Sequence, residues 1–538
     1  MRKSILIIVL IFSVSVFSQE DAWVYFNAKP DAQNYFDNPL LMLSQRSLDR
    51  RILQNIPIDF KDVPMYQPYV DQIAAISGIT IKAKSKWFNA LHIRGSQSDI
   101  QALATLSFVD HVDFANRNLN VTGKTTINKY LKPVNKAKET AVVFNYGNSA
   151  NQIQMLNGHL LHQQDYTGSG KIIAVMDGGF PSVDTATPFA RIRDNNQILG
   201  GYDYVSRNTN FYTGISHGTM VLSTMGGYVD GQLIGTAPDA SYYLFITEDG
   251  ASETPLELSL WVEAAEEADK LGVDIITTSL GYTTFDNPNY NFTYADMNGT
   301  TSYISKGVDI AFSRGMICVV SAGNDGNNSW HYIASPADAN HALTIGAVNA
   351  LGNYASFSSQ GPSFDGRVKP DIVAQGANPY VAIPSGSITN AYSGTSFSGP
   401  IIAGMVASFW QALPMKTNVE LVQLIKESAS IYATPNVTLG YGIPNFSLAL
   451  ANALSVQEYS KNQFLLFPNP FEDSVSISFP RTAENPNLTI FSIVGQKVFE
   501  KKLSNNETTL PLNRLLSGVY FYQIQSKNNI QTGKLIKQ

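Results

Sequence analysis

Three glycine-flanked turns carry the residue types that acyl transfer needs. Asp177-Gly178-Gly179 follows the apolar run 172–176. A carboxylate at the carboxyl edge of a parallel strand is where open α/β sheets place reacting groups; taken alone, the same Asp would simply cap a turn. Ser216-His217-Gly218-Thr219 opens a helical stretch, and taken alone His217 would be an ordinary surface histidine. Ser393-Gly394-Thr395-Ser396-Phe397-Ser398-Gly399-Pro400 precedes the apolar helix expected at 401–413. Ser396 then lies at a helix N-terminus, where backbone N–H groups favour developing negative charge. Pro400 suits a first helical turn. A serine N-cap would use the same pattern.

Together the three turns mean more than they do singly. A serine hydroxyl is a weak nucleophile until an imidazole takes its proton. The imidazole needs a carboxylate that fixes its tautomer and stabilises its cation. A fourth turn, Ser321-Ala322-Gly323-Asn324, follows the apolar run 317–320 and offers an amide donor for an oxyanion. Other reactive side chains fit structural roles better. Cys318 lies within an apolar run and reads as a small buried hydrophobe. His159 and His162 are spaced i, i+3 but have no evident carboxylate partner, so packing is the better reading.

The elements that must position these turns are legible as alternating texture. Apolar runs at 172–176, 242–246, 274–278, 317–320 and 342–346 read as buried strands, with helices expected at 217–228, 255–271 and 302–314. That alternation makes βαβ units and a parallel sheet covered on both faces. Upstream, strand patterns at 79–83, 90–93 and 109–113 flank a helical pattern at 99–106, which suggests a small α+β unit. A charged, helix-compatible stretch covers 47–51. Residues 117–150 are polar, without period, and read as a linker. From Phe464 onward, Val475, Ile477 and Phe479 alternate, as do Thr489, Phe491 and Ile493, and 519–524 is a further strand. This is the texture of a small antiparallel β-sandwich.

The chain has 538 residues, three or four domains' worth at ~150 residues each. Its net charge of −6 carries no basic excess, so no nucleic-acid partner is expected. One cysteine rules out an internal disulfide framework and a cysteine-based zinc site. Arg2 and Lys3 precede an apolar run of 13 residues, 5–17. That is signal-peptide length, short of the ~18 residues a membrane span takes. A cut before Gln19, and export, are expected.

The four turns resemble the conserved blocks of subtilisin-like serine proteases (subtilases, peptidase family S8), in family order over about 155–450. The resemblance implies Ser396 as nucleophile, His217 as general base then acid, and Asp177 as its orienting partner. It makes Asn324 and the Ser396 N–H the oxyanion donors. Ser279-Leu280-Gly281 resembles the family's substrate-binding strand end, which pairs with extended peptide. Two departures stand out: Met220 where a His is common, and Phe397-Ser398 where Met-Ala is common. Residues 283–301 form an aromatic and Asn-rich insertion after Gly281, read either as a solvated loop or as a segment that gates the cleft or contributes substrate contacts. Its Asp286 and Asp296 match no fixed calcium loop. The chemistry requires no cofactor; a structural calcium is compatible with the resemblance but is assigned to no residues.

The expected fold is α/β. A subtilisin-like, mostly parallel sheet with helices on both faces follows a small α+β propeptide and precedes a small β-sandwich. The expected divisions are a signal peptide at 1–18, an inhibitor-like propeptide and linker at 19–145, a catalytic domain at 146–455, and a sorting domain at 460–538. Such a propeptide assists folding and blocks the cleft until it is cut, here within 117–155. The tail, from Phe467-Pro468-Asn469-Pro470 to Gly533-Lys534, is similar to the C-terminal sorting domain of type IX secretion substrates of Bacteroidetes. The competing reading of the tail is a carbohydrate- or protein-binding module. The expected protein is a secreted or cell-surface serine endopeptidase. Its partners are peptide substrates, its own propeptide and the secretion machinery. The alternatives are an inactive subtilase-fold adhesion protein and, more weakly, a hydrolase of non-peptide esters.

Overall fold

The computed structural model describes residues 19–120, 144–460, 464–479, 486–504, 509–526 and 529–538. The expected signal peptide lies outside the described residues, as does most of the stretch read as a linker. The chain divides into two compact units, 1–449 and 450–538.

The first unit opens with an antiparallel sheet built from β1 (Gln19–Phe26), β2 (Thr80–Ser85), β3 (Ala90–Ser96) and β4 (Val109–Phe114), in the order β2-β3-β1-β4. Its own core takes Ala22, Val24, Ile93, Ile100 and Phe114. The expected helix at 99–106 starts slightly earlier, as an α-helix at Gln97–Ala102 continued by a 3₁₀ turn at Leu103–Thr105.

A seven-stranded, all-parallel sheet follows. Its strands are β5 (Ile172–Asp177), β6 (Ile198–Asp203), β7 (Ser241–Ile246), β8 (Ile275–Thr278), β9 (Ile317–Ser321), β10 (Leu343–Val348) and β11 (Ile372–Gln375). The order is β11-β10-β9-β8-β5-β7-β6. β5 is thus central, with the later β8 on one side and β7 on the other. Strand order reverses here, and a crevice opens beyond the carboxyl ends. The strands are buried on both faces, which explains their unbroken apolar runs.

Four helices matter for the site: α1 (His217–Gly226), α2 (Leu256–Leu271), α3 (Tyr303–Ser313) and α4 (Thr395–Ala412). α1 and α4 are buried almost all round, and both run through the interior. α2 and α3 pack together on the other face, where Trp261, Val262, Ile304 and Val308 meet Ala174, Met176, Ile276 and Cys318.

α4 departs from expectation. It begins at Thr395, six residues before the apolar run, so Pro400 sits inside the helix and not in its first turn. A proline there has no N–H for the carbonyl four residues back, which is that of Ser396. Ser279 Oγ donates to that carbonyl instead (2.9 Å).

The first sheet docks on α2 and α3. Trp23 Nε1 donates to Ser259 Oγ (2.8 Å), and Trp23 stacks on Tyr303. Glu266 accepts from Ser85 Oγ and from the N–H groups of Lys86 and Trp87. Buried Asp269 pairs with Arg50 (2.5 Å) and Arg51 (2.7 Å). Arg117, at the start of the expected linker, is also docked, against 291–296.

The second unit consists of two antiparallel sheets. Leu465–Phe467, Ser474–Ser478 and Thr509–Pro511 form one, and Asn487–Ser492, Lys497–Lys502, Gly518–Ser526 and Asn529–Lys537 the other. Its core takes Val475, Ile477, Leu488, Ile490, Ile524 and Leu535. The alternation expected at 489, 491 and 493 is not the buried set, which lies one residue earlier. Leu488 and Ile490 are buried, the register shifts at Ile490/Phe491, and Ile493 is 70% exposed in the turn.

Candidate active site

Asp177 is the last residue of β5 and is fully buried. His217 is the first residue of α1, and its Nδ1 lies 2.9 and 3.0 Å from the two Asp177 carboxylate oxygens. That contact requires α1 to approach β5 closely. A Cβ at Gly218 would fall 2.5 Å from the Gly179 carbonyl and 2.9 Å from Asp177 Cβ, so only glycine fits there.

Three influences act on the His217 imidazole. Burial opposes its charged form. The Asp177 carboxylate, by charge and hydrogen bond, and the more distant charge of Glu248 outweigh that, and its pKa is raised above 6.5. Glu248 lies just past the end of β7. Its carboxyl is pushed up to about 7 by burial, with the charges of Asp177 and Glu253 adding and that of His217 opposing. Sequence reasoning passed over Glu248. The available signal was an acidic residue two places beyond a buried strand at the same sheet edge as Asp177.

Ser396 is the second residue of α4 and is nearly buried. Its N–H is one of the four at a helix start with no acceptor inside the helix. Its Oγ donates to the Ser279 carbonyl (3.4 Å). Phe397, the next residue, brings its ring centroid to 6.1 Å from that of His217. Among the described residues no hydrogen bond joins Ser396 Oγ to His217. Such bonds are often long or misaligned in substrate-free sites and tighten in the complex.

Asn324 follows Gly323, whose φ of +108° favours glycine. Asn324 Oδ1 accepts from Thr395 N (2.8 Å) and Thr395 Oγ1 (3.1 Å). With the oxygen engaged, the amide NH₂ is the free end. Ser321 Oγ donates to the Thr395 carbonyl (2.8 Å), tying β9 to the start of α4.

Ser279 and Leu280 are buried and Gly281 is exposed. The Ser279 side chain donates to the Ser396 carbonyl (2.9 Å). Leu280 and Gly281 make no backbone hydrogen bond to another described residue, so their strand edge is open.

Residues 168–443 match the Subtilase family, residues 21–132 the Peptidase S8 propeptide domain of Bacteroidota, and residues 465–538 the Secretion system C-terminal sorting domain. The chain belongs to the subtilase family. It is 30% identical to subtilisin E of Bacillus subtilis (strain 168) over 323 residues, covering 60% of this chain and 74% of that one. It is 30% identical to the subtilisin of Bacillus pumilus over 300 residues, covering 55% and 97%. It is also similar to the solved MycP3 protease of the type VII (ESX-3) secretion system, at 20% identity over 58% of this chain and 90% of that one, with a TM-score of 0.46. This subtilase is a serine-type endopeptidase with a propeptide, and its sorting domain marks it for secretion or cell-surface attachment.

The two departures from the subtilase pattern meet in space. Met220 and Phe397 pack together with Val381. A side chain of different shape after Ser396 is thus matched by one a turn into α1.

The remaining candidates have other partners. His162 is buried, its ring nitrogens facing Tyr146 Oη (2.8 Å) and the Thr236 carbonyl (3.1 Å), and burial lowers its pKa to about 4. Cys318 is fully buried, and burial raises its thiol pKa well above the ordinary range. Asp286 accepts from Glu253 N (3.1 Å), while Asp296 pairs with Arg117. Among the described residues, no group of three or more His, Cys, Asp or Glu side chains is placed to hold a metal ion.

Proposed function

We propose that this subtilase is an exported endopeptidase that cleaves peptide bonds through an acyl-enzyme on Ser396. His217 Nε2 takes the Ser396 Oγ proton as Oγ attacks the scissile carbonyl. Asp177 holds the ring with Nδ1–H toward itself and stabilises the imidazolium. The tetrahedral oxyanion takes donors from Asn324 Nδ2 and Ser396 N–H. His217 then gives its proton to the leaving amine, and a water molecule, activated the same way, releases the acyl group. Every step is assigned to a group of this chain. Extended substrate pairs with the open backbone edge at Leu280 and Gly281, and main-chain pairing of this kind tolerates varied side chains.

The observation that carries this reading is the Asp177–His217 contact at the carboxyl edge, supported by the clamp of Thr395 on Asn324. The same reading makes 19–145 an inhibitory propeptide and linker, 146–455 the catalytic domain and 460–538 the sorting segment, with self-cleavage within 117–155. One variant tests it. Ser396→Ala is expected to lower kcat on the order of 10⁶, the loss seen when subtilisin itself is deprived of its nucleophile. The variant should stay folded by circular dichroism and keep its propeptide, while N-terminal sequencing of the wild type finds a start within 117–155. Comparable peptide cleavage by both proteins rejects the assignment.

A further inference from the structure

The insertion at 283–301 is a built structure. Phe292 N donates to the Thr283 carbonyl (2.9 Å), and Phe285 N to Asn291 Oδ1 (2.7 Å). Tyr294 stacks on Tyr332, with ring centroids 3.7 Å apart, and its hydroxyl donates to the Pro362 carbonyl (2.9 Å). Phe285 and Tyr290 are buried.

One face of this loop holds a guanidinium from three directions. Arg117 Nη2 donates to the Asn291 carbonyl (2.9 Å). Arg117 Nη1 forms an ion pair with Asp296 Oδ1. The Arg117 Cζ lies 5.2 Å from the centroid of the Phe292 ring. Asp296 is fixed before any cation arrives. Its Oδ2 accepts from both Thr293 N and Thr293 Oγ1 (2.7 Å each), which leaves Oδ1 for the ligand, and its side chain is only 16% exposed. A carbonyl acceptor and a carboxylate set beside an aromatic face suit the planar guanidinium of arginine better than a lysine ammonium.

Arg117 belongs to the region matched by the propeptide domain, and the loop begins two residues after the open edge at Gly281. Any bond cut within 117–155 lies on the carboxyl side of Arg117 or at it. Arg117 therefore marks a place on the acyl side of the cleaved chain. When the propeptide leaves, the site loses its cation, and Asp296, Asn291 and Phe292 are left without it, in a loop that begins two residues after Gly281.

We propose that residues 291–296 form an arginine-binding exosite, which holds propeptide Arg117 before processing and afterwards takes an arginine side chain of the substrate, upstream of the scissile bond. The proposal rests on the endopeptidase reading above. It deepens that reading by naming a substrate feature.

The experiment uses the self-processed protein. Fluorogenic peptides share one cleavage site and carry arginine, or its neutral isostere citrulline, at successive positions four to ten residues upstream. At one position arginine is expected to raise kcat/KM roughly tenfold over citrulline, the size of one charge-assisted hydrogen bond. In Asp296→Asn, which keeps an oxygen for Thr293, that ratio should fall to about two or less. Phe292→Leu, which keeps Asp296 and the loop's bulk, should lower the ratio in the same direction. Citrulline peptides should be cut at rates within about twofold by all three proteins. A wild type with no arginine preference at any position overturns the exosite alone, as does a preference that survives in a folded Asp296→Asn or Phe292→Leu protein. Failure of the wild type to cut any of the peptides overturns the endopeptidase reading, and the exosite with it.

Discussion

At the scale of single residues, the site works by committing one end of each polar side chain so that the other is free. Asp177 holds His217 through Nδ1, and the proposed mechanism uses the remaining Nε2 for the proton transfer. Thr395 occupies the oxygen of Asn324, and the proposed mechanism turns the NH₂ to an oxyanion. Because that donor acts where charge develops, Asn324→Ala should lower kcat by ~10²–10³ with little change in KM, the range known for the equivalent donor in subtilisin. Steady-state kinetics on one peptide checks it, and a loss confined to KM would argue for ground-state binding. The base must be neutral to act, and carboxylates raise its pKa above 6.5. The acid limb of kcat/KM should therefore lie above the pH at which a free histidine titrates. Glu248→Gln removes one of the charges that favour the imidazolium, so the limb should move to lower pH. A pH–rate profile that does not move would show that Glu248 exerts no effective field on His217.

At the scale of elements, the start of α4 is the decisive piece, and Pro400 shapes it. The Ser396 carbonyl loses its helical partner to the proline and gains Ser279 Oγ, so a strand end braces Ser396, the nucleophile of the proposed mechanism. Ser279→Ala leaves that buried carbonyl unpaired and should cost about 1–3 kcal/mol. Pro400→Ala returns an N–H to the helix, so the double variant should recover most of the loss; denaturant melts of the single and double variants measure it, and an additive result would refute the exchange. The central strands and α1 to α3 were legible because burial on both faces leaves unbroken apolar runs between the helices. β6 was not, because Gly200 and Gly201 interrupt its pattern. β1 was not, because its alternate residues serve two different cores: Ala22 and Val24 face its own sheet's core while Trp23 faces α2 and α3, so polarity does not alternate. The early start of α4 was hidden by Gly394, Gly399 and Pro400, residues that usually mark a break. The four turns of the site could be read in order, but which partner each side chain would take depended on contacts between residues 40 to 117 positions apart.

At the scale of the whole molecule, charge is spent differently in the two units. In the first, buried ion pairs such as Arg50–Asp269 and Arg51–Asp269 join the helix Gln45–Leu53, in the region matched by the propeptide domain, to α2. Such pairs cost desolvation and add specificity more than stability. In the proposed reading they hold a segment that leaves whole once its chain is cut and water reaches the charges. Among the described residues the second unit has a core of its own, from Phe464 to Leu535. Its match to a sorting domain assigns it to transport rather than chemistry. A chain ending at 460 should therefore melt at the same temperature in its catalytic unit and cleave peptides at the same kcat/KM, yet accumulate in the periplasm of a type IX-competent host instead of reaching the surface or the medium. Fractionation and immunoblotting of cells expressing the two chains measure this directly. Normal release of the shortened chain, with weaker binding to a macromolecular substrate, would make the tail an adhesion module. Loss of peptide cleavage together with retention would mean that the tail also supports the catalytic fold.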